Sequence, residues 1–220
     1  MLGNESAPPL LQLDHLVVAA TTLAAGVDYL ESRLGVPFTA GGQHIVMGTH
    51  NALLKLDGPT YLEVIAIDPS LQSPQRKRWF GMDTEEQRAA LSVRPRLIHW
   101  VCRTEQLDSL QQRYPGKFGR TLPMSRNQLH WSLTVPDDGS LPAAGILPSL
   151  IQWPHGQHPT TNLAERNCRL LKLEAGSPNP ENLTPLLDEL GIGQLIELSK
   201  ALHPRLCARI ETPAGITTLD

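Results

Sequence analysis

The strongest constraint on how this chain can fold is that one pattern occurs in it twice. Leu13-Asp14-His15-Leu16-Val17-Val18-Ala19 is a short apolar run interrupted by a histidine, and Arg96-Leu97-Ile98-His99-Trp100-Val101-Cys102 has the same character, with its histidine in a corresponding place two residues after a leucine. Short runs rich in β-formers read as strands. Each is followed by threonine and a segment of helical period. In the first, Thr21 or Thr22 caps a helix with Leu23, Val27, Leu30 and Leu34 on one face, and Gly35 ends it. In the second, Thr104 opens a helix carrying Leu107, Leu110 and Tyr114, closed by Gly116 and Gly119. Strands are then expected over 43–47, 51–56 and 61–67, with Gly48-Thr49 and Asp57-Gly58-Pro59 as turns, and again over 129–135 and 147–153. The repeat predicts an α+β chain of two βαβββ modules, 1–68 and 96–160.

The segment between them, 69–95, is longer than an ordinary loop, with a short helix expected over 84–90. Its Trp79-Phe80 pair supplies apolar surface for either a packed excursion or a lid. Residues 161–220 read as a third, partial module of the same domain. It has a strand over 170–174, a helix after Asn179-Pro180 bearing Leu183, Leu186, Leu187 and Leu190, and strands over 194–198 and 206–212.

Charge and cysteine usage narrow the partners. With 19 basic against 22 acidic residues and a net charge of −3, the chain shows no basic stripe to follow a phosphate backbone, so nucleic acid is not an expected partner. The opening ten residues lack a charged start followed by an apolar run, and no window nears the roughly 18 apolar residues of a membrane span. Three cysteines without CxxC spacing fit a reduced, cytoplasmic protein, with Cys102 read as a small buried hydrophobe. An open sheet edge would also allow a homodimer.

Four polar residues sit awkwardly in apolar strands: His15, Glu63, His99 and Gln152. Burying such a group without a partner costs about 1–3 kcal/mol, so each needs one. All lie in the first or last strand of a module, and pairing the modules about a pseudo-twofold axis would gather them. Two imidazoles, a carboxylate and an amide would suit a divalent metal such as Zn, Mn, Fe or Ni.

Leu13-Asp14-His15-Leu16-Val17, Gly48-Thr49-His50-Asn51, Tyr61-Leu62-Glu63, Trp100-Val101 and Ile151-Gln152-Trp153 together resemble the glyoxalase-like domain of the vicinal-oxygen-chelate superfamily, from Leu13 to about Pro213. The resemblance implies a cupped mixed sheet built from paired βαβββ units. It puts His15, Glu63 and His99 on metal positions and makes Glu63 the catalytic base when it is not a ligand; His50 after its Gly-Thr turn, Gln152, and Trp153 as a pocket wall are the candidate substrate contacts. Gln152 stands where the superfamily usually has a carboxylate. Two functions are therefore expected to compete. One is a metal-dependent lyase, isomerase or dioxygenase acting on a small oxygenated molecule; the other is a metal-free protein that sequesters a small ligand.

Overall fold

In the computed structural model, which describes residues 10–220, the two repeats are the halves of one eight-stranded sheet. The first half comprises β1 (Gln12–Ala19), α1 (Leu23–Leu34), β2 (Thr39–His44), β3 (Thr49–Lys55) and β4 (Tyr61–Ile67). A connection carrying α2 (Glu85–Val93) leads to β5 (Arg96–Arg103), α3 (Leu107–Arg113), β6 (Arg120–Arg126), β7 (Leu129–Val135) and β8 (Ser149–Gln152). The strand order is β2-β3-β4-β1-β5-β8-β7-β6. β1 runs parallel to β4 and β5 parallel to β8, while β1 and β5 are antiparallel neighbours at the centre. The α+β fold of paired modules is thus the one read from the repeat.

Alternation along the strands sorts side chains into two cores. Leu16, Val18, Leu62, Val64, Trp100 and Cys102 face the convex side, where α1, α3 and a second sheet cover them. That sheet contains β9 (Arg169–Ser177), β10 (Glu197–Lys200), β11 (Arg205–Thr212) and β12 (Gly215–Leu219) in the order β10-β9-β11-β12, with α4 (Thr184–Glu189) beside it. A Cβ on Gly26 of α1 would lie 2.6 Å from Val64 and 2.7 Å from the Ala20 methyl, so this helix can approach the sheet only with glycine there.

Val17, Ala19, Ile65 and Val101 face the concave side. Here the edge strands of the sheet meet: Asn127, just beyond β6, donates to the Gly41 carbonyl of β2 at 3.3 Å. The connection plugs the cup, with Trp79 and Phe80 buried in its cluster and Gly81 N–H bonded to the Gly139 carbonyl at 2.8 Å. Phe80 holds a left-handed backbone, φ 59, unusual for a bulky side chain.

The elements differ from expectation in a few places. The strand expected over 43–47 ends at His44 and gives way to a 3-10 turn, Ile45–Met47, whose Ile45 and Val46 face solvent. β6 and β12 were not expected, and β10 begins three residues later than read. Among the described residues no helix is long and apolar enough to cross a membrane. The stretch 1–9, and the reading that it carries no leader, lies outside the described residues.

Candidate active site

A β-bulge creates the central feature of the cup. Along β1 and β5, Leu13 faces Cys102 and His15 faces Val101, so Asp14 is a surplus residue with no partner across the ladder. Regular alternation would send Asp14 and His15 to opposite faces. The bulge lets them meet, and Asp14 Oδ1 accepts a hydrogen bond from His15 Nδ1 at 2.6 Å. Asp14 Oδ2 accepts two more, from Trp153 Nε1 at 3.0 Å and His158 Nε2 at 3.1 Å. His158 can make that bond because its Nδ1 takes the Thr160 N–H at 3.3 Å, which leaves the ring proton on Nε2. Burial works to raise the Asp14 carboxyl, but the bonds from His15 and His158 outweigh it and hold the group well below the usual carboxylate range.

An ionised Asp14 keeps a proton on His15 Nδ1, and Nε2 then faces Glu63 Oε2 at 3.7 Å. Glu63 Oε1 accepts from Asn51 Nδ2 at 2.5 Å, and Asn51 Oδ1 accepts from the Gly42 N–H at 3.1 Å, which settles the orientation of the amide. A Cβ on Gly41 would sit 2.0 Å from that oxygen, so glycine is required beside it. His44 completes the row, its Nε2 3.4 Å from Asn51 Nδ2. Burial pushes His44 well below the ordinary histidine value, with Arg126 adding to the effect, and keeps it neutral. At 3.7 Å, His15 Nε2 and Glu63 Oε2 are too far apart for a direct hydrogen bond, so both atoms are open to a third group. Tyr61 stacks on His15 with ring centroids 4.5 Å apart. Burial, with Asp14 and Glu63 nearby, holds the Tyr61 phenol protonated.

Trp79, Phe80, Trp131 and Trp153 wall the cavity that His15, Glu63 and Arg126 enter. Its free space is about 20 Å³, room for about one water molecule. Trp153 also borders an outer cleft of about 410 Å³, lined by Gln12, Gln106, His155, Gln157 and His158 among others.

The structure brings His15 and Glu63 together and sets Trp153 beside them. It does not bring the other expected residues to them. His99 is fully buried under Phe80, with ring centroids 5.1 Å apart, and its Nε2 takes the Ser149 N–H at 3.1 Å and lies 2.9 Å from Ser149 Oγ. Burial, with His15 nearby, pushes its pKa down to about 3. Gln152 faces away from the cup, where its Oε1 accepts from the Leu107 N–H at 3.3 Å. His50 also lies on the other face, its Nδ1 3.4 Å from Asp68.

The strand register explains these placements. Val17 pairs with Glu63 in the first half and its equivalent, Val101, pairs with Ser149 in the second. The position matching Glu63 is therefore Ser149, and Gln152, an odd number of residues away, points to the opposite face. The bulge is repeated as well, with Ile98 as the surplus residue before His99. The second half thus has Ile98 and Ser149 where the first has Asp14 and Glu63. This donor set does not fit the divalent metal expected on His15, Glu63 and His99: His99 is committed to Ser149, and Gln152 is turned away. Among the described residues no three His, Cys, Asp or Glu side chains converge to hold a metal.

Sequence reasoning missed Asp14, Asn51, Arg126 and His158. Only Asp14 carried a usable signal, an ionisable pair inside an apolar strand.

The family described as a glyoxalase-like domain matches residues 13–191. No curated protein sequence matches the chain. Among solved structures, the chain is similar to a hypothetical protein from Staphylococcus aureus with a TM-score of 0.56 and 12% identity, covering 96% of this chain and 86% of that one. It is similar at TM-score 0.45 and 19% identity to methylmalonyl-CoA epimerase from Mycobacterium tuberculosis, covering 69% of this chain and 94% of that one.

Proposed function

This chain belongs to the glyoxalase-like domain family, and from that membership and the geometry of its cup we propose that it is an enzyme, an isomerase or lyase, that moves a proton on a small oxygenated molecule. The observation that carries the proposal is the row Asp14, His15, Glu63. Asp14, held by Trp153 and His158, orients His15 so that Nε2 faces the cavity. In this reading Glu63 carries a proton and His15 Nε2 does not, so an acid and a base face each other across 3.7 Å. His15 Nε2 then takes a proton from a carbon next to the substrate carbonyl, and the C–H electron pair moves into an enol. Glu63 gives its proton to the carbonyl oxygen, and the steps reverse to deliver product. Asp14 stabilises the imidazolium that forms in between. Positioned acids and bases of this kind each contribute about 10²- to 10⁴-fold in rate.

A second reading, a metal-free sequestering protein, has the narrow aromatic cavity in its favour. The three free cysteines, two of them buried, suit a reducing compartment, and we place the protein in the cytoplasm.

Both readings are tested by incubating the protein in deuterium oxide with a panel of 2-oxo acids, hydroxyketones and dicarbonyl compounds, following C–H exchange by NMR. We expect exchange that survives a chelator and drops at least ~100-fold in His15→Gln and Glu63→Gln variants that keep the wild-type circular dichroism. A compound that binds without exchanging would leave the sequestering reading; exchange undiminished in His15→Gln would sink the proposed chemistry.

A further inference from the structure

Among the described residues, Arg126 is a buried cation with no counter-ion. Its side chain lines the cavity with His15 and Glu63, and the residue is only 6% exposed. Among the described residues its guanidinium makes no ion pair and no hydrogen bond, and its one favourable neighbour is the face of Trp131, 5.9 Å from ring centroid to guanidinium carbon. Two other inward arginines have partners: Arg78 pairs with Asp83 at 2.7 Å, and Arg103 bonds Gln12 and the carbonyls of Leu13 and Pro59. Glu63 does not serve Arg126, because its two oxygens face Asn51 and His15. A buried guanidinium without an anion is unfavourable, and a ring face only partly compensates it.

The fold nevertheless makes room for it. A Cβ on Gly42 would lie 2.9 Å from the Arg126 Cγ, so the arginine stem crosses the seam between β2 and β6 over a glycine. The guanidinium fork matches a carboxylate in two parallel hydrogen bonds.

We propose that Arg126 anchors a carboxylate of the substrate, so that the site takes small oxo acids in preference to neutral carbonyl compounds. The assignment rests on the reading of His15 and Glu63 as the proton-transfer pair, which it deepens. An acid held on Arg126 directs its oxo end across the cavity toward those two residues. The same cation offsets the negative charge that grows on the substrate when His15 removes a proton. The carboxylate takes no covalent part; its role is recognition. The cavity's free space of about 20 Å³ is smaller than any oxo acid, so entry requires the aromatic wall of Trp79 and Phe80 to shift, and the smallest acids are the first probes.

The test is a titration of wild-type, Arg126→Gln, Arg126→Lys and His15→Gln protein with glyoxylate, pyruvate, 2-oxobutyrate, acetoacetate and their methyl esters. Binding is read from tryptophan fluorescence, to which Trp79, Trp131 and Trp153 in the cavity wall contribute. At least one acid is expected to bind wild type with Kd below ~10 mM and at least ~10-fold more tightly than its ester. Arg126→Gln abolishes that preference, Arg126→Lys keeps part of it, and His15→Gln retains it while losing C–H exchange. Equal binding of acids and esters, a preference that persists in Arg126→Gln, or no binding by any acid would overturn the assignment. Acid binding that depends on Arg126 without C–H exchange would overturn the catalytic reading alone, and exchange of neutral compounds only would overturn this one alone. If Arg126→Gln fails to fold, the graded loss in Arg126→Lys decides.

Discussion

At the scale of single residues the proposed chemistry turns on Asp14, whose 2.6 Å bond to His15 Nδ1 would position that ring. Asparagine in its place could offer its amide N–H to His15 and reverse which ring nitrogen carries the proton, leaving Nε2 unable to accept. Asp14→Asn is expected to lower the exchange rate by ~10²- to 10⁴-fold while leaving the Kd for an acid probe within about twofold, since Asp14 does not line the cavity. A purely structural lesion would move both, so the split between rate and binding checks the role. His15 and Glu63 were legible in the sequence because a charged or titratable group inside an apolar strand must find a partner. Asp14 was not. Reading with period two assigns neighbouring residues to opposite faces, and a bulge is the one device that defeats it. Gln152 looked equivalent to Glu63 because the fourth strands were matched by residue type, Tyr61-Leu62-Glu63 against Leu150-Ile151-Gln152, whereas strand-to-strand register is settled by pairing.

At the scale of elements, the strands and helices with uniform patterns were readable and the mixed ones were not. Tyr61–Ile67 and Leu23–Leu34 were recovered at once, the helix with Thr22 capping it through the Ala25 N–H at 3.2 Å. β6 was missed because Pro123 and the exposed Arg120 and Ser125 interrupt it, a composition that an edge strand tolerates. That omission also hid Arg126, its last residue. Gly26 gives the element-level prediction. With a Cβ forced against Val64 and Ala20, Gly26→Ala must push α1 off the sheet and is expected to destabilise the protein by about 1–3 kcal/mol despite the better helix propensity of alanine. Urea unfolding measures it; a stabilised variant would show that the helix can shift freely.

Across the whole molecule the halves share a framework and differ in chemistry, with the first supplying Asp14, His15 and Glu63 and the second supplying His99 bound to Ser149 as packing. His99, held neutral in the fold, ties global stability to pH. Its pKa falls from about 6.5 unfolded to about 3 folded, so the unfolded chain binds the extra proton between those values. The contribution is complete above about pH 6.5 and is lost as pH falls toward about 3, with a slope approaching about 1.4 kcal/mol per pH unit. His44, depressed in the same direction, steepens the decline. His99→Gln, which cannot titrate, is expected to flatten this acid limb in denaturation series from pH 7 to pH 4, and an unchanged slope would refute the linkage. The bulge at Asp14 has a different consequence. Because Asp14 is surplus to the ladder, residues 15–19 would keep their faces if it were deleted. The Asp14–His15 contact therefore depends on the length of one strand more than on the identity of its core, and a lineage could gain or lose it by a single-codon insertion or deletion without repacking the interior.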